Sequence, residues 1–168
     1  MSVHVSNQII KSEWTDYNNH LNMAYYVLIF DVAWEVMLKK FNMGEQSAKT
    51  SGMSTMVVET NTTYDNEIKE GDEVEILLTF FDHDKKRLQY KMEMIHKEKK
   101  FLASTIEVLA LYVDLNTRKV SEFEPEKISL MQNFIKSNGK KFNNTNLKFS
   151  TKREVDGHGD GEVGGKSK

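Results

Sequence analysis

Cysteine is absent from this 168-residue chain. That excludes disulfides, a thiolate nucleophile and any cysteine-based zinc site, and a reduced, cytoplasmic setting is the simplest expectation. Histidine is sparse: His4, His20, His83, His96 and His158 stand far apart, without metal-ligand spacing. No phosphate-cradling glycine-rich loop is present either, so neither a metal nor a cofactor is expected. An excess of one charge is also missing. The chain has 23 basic and 25 acidic residues, interspersed, for a net charge of −2. This argues against a nucleic-acid or anionic-membrane partner. No apolar run approaches the ~20 residues that cross a bilayer. The start, Met-Ser-Val-His-Val, has neither the basic region nor the apolar core of a signal segment.

What remains is a chain of single-domain length that can bury about two-thirds of its unfolded surface. Residues 3–11 read as a strand. Residues 24–41 read as a helix that is apolar on nearly every side, with Asp31, Glu35 and Lys39 as its polar stripe, so burial in a core is expected. Residues 42–52 read as a loop. Extended runs follow at 54–68, 73–81, 87–95 and 101–114, separated by charged turns, which implies an antiparallel meander. Val74, Ile76, Leu78 and Phe80 share one face, as do Leu88, Tyr90, Met92 and Met94. Apolar residues occupy both faces of 108–113, as in a central strand or one covered by another subunit. The single proline, Pro125, suits the first position of a second helix over 125–136. Residues 139–168 hold six of the nine glycines and are expected to be a flexible tail after a domain over 1–138. One buried helix on an antiparallel sheet is an α+β layout.

The most informative stretch places Asp16, Asn18, Asn19, His20 and Asn22 within seven residues, directly before the long helix. Polar groups beside a core must be paired, so such a loop is costly to build. It also suits chemistry. The unpaired N–H groups of a first helical turn can polarise a carbonyl beside a carboxylate.

The pattern Asp16-x-Asn18-x-His20-Leu21-Asn22-x-x-Tyr25-Tyr26 resembles the loop-and-helix signature of hot-dog acyl-CoA thioesterases of the 4-hydroxybenzoyl-CoA thioesterase type. Asn19 stands where that group commonly has glycine. Glu13 to Asn22, Val58-Glu-Thr-Asn61, Glu70-Gly-Asp72, Asp84 to Leu88 and Leu109 to Thr117 are similar to the thioesterases associated with carnitine dehydrogenase, although that group prefers histidine at Asn61. The resemblance implies a sheet wrapped around one central helix and hydrolysis of an acyl-CoA, betainyl-CoA in the subgroup. It further implies a homodimer or homotetramer with active sites between subunits.

The resemblance makes Asp16 the catalytic carboxylate, as general base on water or as nucleophile through a mixed anhydride. The plainer reading is an Asx-turn residue. His20 either orients the thioester or CoA or simply bonds backbone. Glu59 is a second acid/base candidate or an exposed strand residue. Asn18 and Asn19 contact substrate or shape the turn, and Asn22 caps the helix or touches substrate. Trp14, Tyr17, Tyr25 and Tyr26 are candidates to surround a trimethylammonium group, against ordinary packing. Asn61 completes the substrate-binding candidates. Three rival functions stay open: a thioesterase for neutral short or medium acyl chains, a hot-dog hydratase or dehydratase, and a non-catalytic acyl-CoA binder.

Overall fold

The computed structural model describes residues 2–143 and 147. Its elements are β1 (Val3–Ile9), α1 (Met23–Lys40), α2 (Glu45–Ser51), β2 (Met53–Tyr64), β3 (Glu73–His83), β4 (Arg87–His96), β5 (Leu102–Asp114), β6 (Lys119–Val120) and α3 (Pro125–Asn138). One antiparallel sheet has the order β1-β3-β4-β5-β2, with β6 on the end of β5. It curls around α1, which is the hot-dog arrangement of an α+β fold.

The meander is narrower than expected. Strands β3, β4 and β5 follow one another, but β2 pairs with β5 rather than β3. The segment between β2 and β3 is no hairpin. It is tied to the loop before α1, where Leu21 N–H donates to Ile68 O at 2.7 Å and Gly71 N–H donates to Ile10 O at 2.9 Å.

Bulges interrupt the ladders at His4/Ser6, Val57/Glu59, Leu78/Phe80 and Met94/Ile95. Each bends its strand and adds twist, which lets a short sheet wrap a helix. The bulge in β3 also corrects the face assignment. Val74, Ile76 and Leu78 point into the core, but past the bulge Phe81 replaces Phe80 as the buried residue. Phe80 turns outward towards Phe142. In β4, Leu88, Tyr90, Met92 and Met94 all face the core, as the alternation predicts.

Helix α1 buries Ile29, Phe30, Ala33, Trp34 and Met37 against this sheet, and Trp34 stacks on Tyr90 with ring centroids 3.5 Å apart. The expectation of burial on every side does not hold within one chain. Val27, Leu28, Val32 and Val36 remain 39–47% exposed, because a sheet of this width wraps only half of the helix. Of the polar stripe, Asp31 and Lys39 are exposed and Glu35 is partly buried. The Glu35 carboxylate accepts the Glu45 N–H at 2.8 Å and so caps α2, a helix inside the stretch expected to be a loop. Gly52 ends α2 in the left-handed region at φ 77°, where a side chain is disfavoured.

Asp84 organises the β3–β4 turn. Its Oδ1 accepts from Lys86 N–H and Arg87 N–H, and its Oδ2 accepts from Arg87 Nε at 2.6 Å. Burial pushes this carboxyl up, but those N–H groups and the guanidinium outweigh it and hold the group below the usual range. Asp84→Ala is expected to lower unfolding stability by about 2 kcal/mol at neutral pH, because it removes the carboxylate that accepts from Lys86 N–H, Arg87 N–H and the buried Arg87 guanidinium. A depressed carboxyl contributes stability above its unfolded pKa and loses it as pH falls through the folded one. Urea unfolding should therefore show the mutant deficit shrinking below about pH 4.

The second helix ends at Asn138, and Gly139–Lys141 continue as a 3-10 turn. Apart from Phe142, Asn143 and Leu147, the rest of the expected tail lies outside the described residues. No helix among the described residues is long and apolar enough to cross a membrane.

Candidate active site

The loop between β1 and α1 is built around the Asp16 side chain. Its Oδ1 accepts from Asn18 N–H at 2.8 Å and from His20 N–H at 3.2 Å. Asp16 N–H donates to His20 O, and Asn19 N–H donates to Asp16 O, both at 2.9 Å. This is the Asx-turn role expected of aspartate in a loop, and it does not compete with chemistry. It fixes the carboxylate through Oδ1, while Oδ2 takes no bond among the described residues. Asn19 holds φ 64°, the left-handed conformation that favours glycine and that asparagine tolerates. The position where similar signatures carry glycine is thus one the backbone itself demands.

The β2–β3 segment braces the loop from outside. Glu70 N–H donates to Asn19 O at 3.1 Å, and His20 forms a bridge with Lys69. His20 Nδ1 lies 3.5 Å from Glu67 Oε1, at the rim of the loop. Asn22 is the N-cap of α1, its Oδ1 accepting from Ala24 N–H at 3.0 Å. Asn22→Ala should lower the melting free energy by about 1 kcal/mol, readable by thermal unfolding.

The four aromatic candidates scatter. Trp14 is buried and stacks on Tyr25 at 6.3 Å, with Lys11 Nζ over its ring. Tyr26 is buried too. Its hydroxyl donates to Asn66 O at 3.3 Å, its ring meets the edge of Tyr64, and burial pushes its hydroxyl pKa up. Tyr17 is 94% exposed. These rings do not enclose one space within the chain. Glu59 and Asn61 lie on β2, opposite Leu109 and Glu107 in register, and the hydrogen bonds of Asp16 stay within its own loop.

An apolar groove of about 410 Å³ starts at Ala24 in the first turn of α1. It runs past Val27 and Leu28 to Asp31, with Val57 and Thr60 of β2 as the other wall and Tyr90, Ile106 and Val108 beneath. A smaller cavity of about 220 Å³ continues beyond it along Trp34 and Glu35, sharing Asp31, Val57 and Tyr90. A larger cleft of about 480 Å³ sits at the β4–β5 turn, lined by Asp72, Glu73, His96 and Lys97. In it Lys97 pairs with Glu73 at 3.3 Å, and His96 Nε2 lies 3.5 Å from Asp72 Oδ2. For an acyl group the α1 groove is the better fit, because binding sites for such groups are apolar with few polar anchors.

Asp31 and Tyr90 are the groove residues that sequence reasoning missed as site residues. The sequence places Asp31 only in the polar stripe of α1. Burial, and then the neighbouring Glu35 charge, push its carboxyl above the usual range. Burial, then the Asp31 charge, likewise raises the Tyr90 hydroxyl. The only sequence signal was a lone aspartate between Phe30 and Val32.

Comparison with known proteins places this geometry in a family. Residues 10–134 match the thioesterase-like superfamily. A betainyl-CoA thioesterase from Pseudomonas aeruginosa is 29% identical over 120 residues, covering 71% of this chain and 76% of that protein. A Staphylococcus aureus protein solved in complex with CoA superposes with a TM-score of 0.75 at 26% identity, covering 81% of this chain and 86% of the other. A DHNA-CoA thioesterase, also from Staphylococcus aureus, shares the fold at a TM-score of 0.72 and 19% identity, over 80% of this chain and 92% of its own. With the loop, the wrapped helix and the matched span together, the chain belongs to the thioesterase-like superfamily and is a hot-dog thioester hydrolase.

Proposed function

We propose that this chain hydrolyses betainyl-CoA to glycine betaine and free CoA, a step in carnitine breakdown, and that it works as a homodimer or a dimer of dimers. The observation that carries the hydrolytic reading is the Asp16 carboxylate, held by Asn18 and His20 N–H in the loop that enters α1, with an apolar groove starting at Ala24 in the first turn of that helix. The similarity to a betainyl-CoA thioesterase supports the choice of acyl group.

In the proposed step Asp16 takes a proton from water while the water oxygen bonds to the thioester carbon. Asn22 takes the Ala24 and Tyr25 N–H groups, so the Met23 N–H, with the α1 dipole behind it, stabilises the oxyanion. The C–S bond then breaks, and the CoA thiolate leaves and takes up a proton. His20 lies at the loop rim, where it orients the thioester or the CoA arm. Glu59 and Asn61, on a separate strand, serve the site of a second copy, and Trp14, Tyr17, Asn18, Asn19, Asn22, Tyr25 and Tyr26 shape the loop and its approach.

The second copy is argued from uncovered apolar surface. Val32 and Val36 of α1, with Met56, Val57 and Val58 of β2, are 39–51% exposed, and β2 ends the sheet with an open edge. Long apolar edges of this kind require cover. Proton NMR tests the reaction. The trimethylammonium signal of betainyl-CoA should convert to that of free glycine betaine with one thiol per ester. Intact betainyl-CoA beside hydrolysed butyryl-CoA would overturn the substrate and favour a neutral acyl group.

A further inference from the structure

One carboxylate stands in a groove that is otherwise apolar. Asp31 projects from α1 between Val27, Leu28 and Val57, above Tyr90, and the adjoining cavity adds Trp34. The charge that acts on it is Glu35, of the same sign, and no lysine or arginine pairs with it among the described residues. Asp31 is itself exposed to solvent, and a hydrated carboxylate at the side of the groove offers a hydrocarbon tail no favourable contact. A positively charged ligand gains from this carboxylate an attraction that a neutral one does not.

We propose that Asp31 is the specificity-determining residue, selecting acyl groups that carry a quaternary ammonium and rejecting neutral and anionic ones. The inference rests on the cationic-acyl reading above. It replaces the loop aromatics with the Asp31 carboxylate as the group that attracts the cation. Charge attraction across low-dielectric surface acts over several ångströms, so direct contact between the head group and the carboxylate is not required. Rejection comes from the same group, because an anionic tail would face Asp31 and Glu35 together.

The test compares betainyl-CoA with its neutral isostere, 3,3-dimethylbutanoyl-CoA, in which carbon replaces the ammonium nitrogen. Thiol release gives kcat/KM for both esters with wild type, Asp31→Asn and Asp31→Glu. Wild type should favour the cationic ester by several-fold to about tenfold, the scale of a charge attraction beside a solvated carboxylate. In Asp31→Asn the ratio should fall towards one, mainly through a raised KM for the cationic ester, and Asp31→Glu should keep most of the preference. A wild-type preference that survives unchanged in Asp31→Asn overturns the role of Asp31 alone. Equal turnover of the two esters by wild type overturns the cationic reading and this inference together. Unfolding midpoints of the variants separate a lost preference from a lost fold, and Asp31→Asn should be no less stable than wild type, since it removes a charge beside Glu35.

Discussion

Replacing Asp16 with asparagine should lower kcat by about 10² to 10⁴ while leaving KM within a few-fold of wild type. The amide keeps an oxygen where Oδ1 accepts from Asn18 and His20 N–H, so the loop should hold its shape. What it loses is the capacity to take a proton from water or to attack carbon. Asp16→Asn is therefore more informative than Asp16→Ala, which would remove the turn as well as the base. Circular dichroism and the melting midpoint should match wild type, and thiol release should collapse. A variant that keeps more than about a tenth of wild-type kcat would leave Asp16 only its turn-forming role, because a positioned general base is worth at least ten times that loss.

The second large effect is expected at the uncovered face of α1. Val32→Asp puts a carboxylate on a surface that the proposed second copy shields from water. Val32 is 47% exposed in the single chain, so the monomer should fold normally. An unpaired charge buried on association costs about 3 kcal/mol or more, which weakens a dimer by roughly a hundredfold. Sedimentation at micromolar concentration should shift from dimer to monomer, and thiol release should fall with the dimer fraction if Glu59 and Asn61 complete the partner's site. Val32 does not line the acyl groove, so the loss would report assembly rather than substrate contact. A wild-type protein that sediments as a monomer at full activity would remove the between-subunit site.

These two predictions differ in how readily they could be read from the sequence. The Asp16 loop is legible because everything that shapes it is local. The carboxylate bonds N–H groups two and four residues on, Asn22 caps the helix that starts one residue later, and Asn19 sits in the left-handed turn between them. The α1 helix and the β4 alternation are legible for the same reason, since period and burial coincide along one segment. The bulge at Leu78/Phe80 is not, because one extra residue reverses the faces beyond it without altering the apolar run. Helix α2 carries no apolar stripe, and its first N–H is capped by Glu35, ten residues earlier. The groove is least legible. Asp31 stays exposed on its helix and becomes part of a groove wall only when Val57 and Tyr90 arrive from strands far along the chain. The scattering of Trp14, Tyr17, Tyr25 and Tyr26 has a similar origin, since closeness in sequence sends neighbouring side chains to different faces of the loop and helix.

The central claim is that this chain cleaves a cationic acyl thioester. It is tested most directly by wild-type kcat/KM from thiol release on a panel of betainyl-, acetyl-, butyryl- and benzoyl-CoA. The account predicts the highest kcat/KM for betainyl-CoA, with the neutral esters well below it. Release that favours a neutral ester would contradict the cationic assignment, and no thiol from any member would contradict the assignment as a whole.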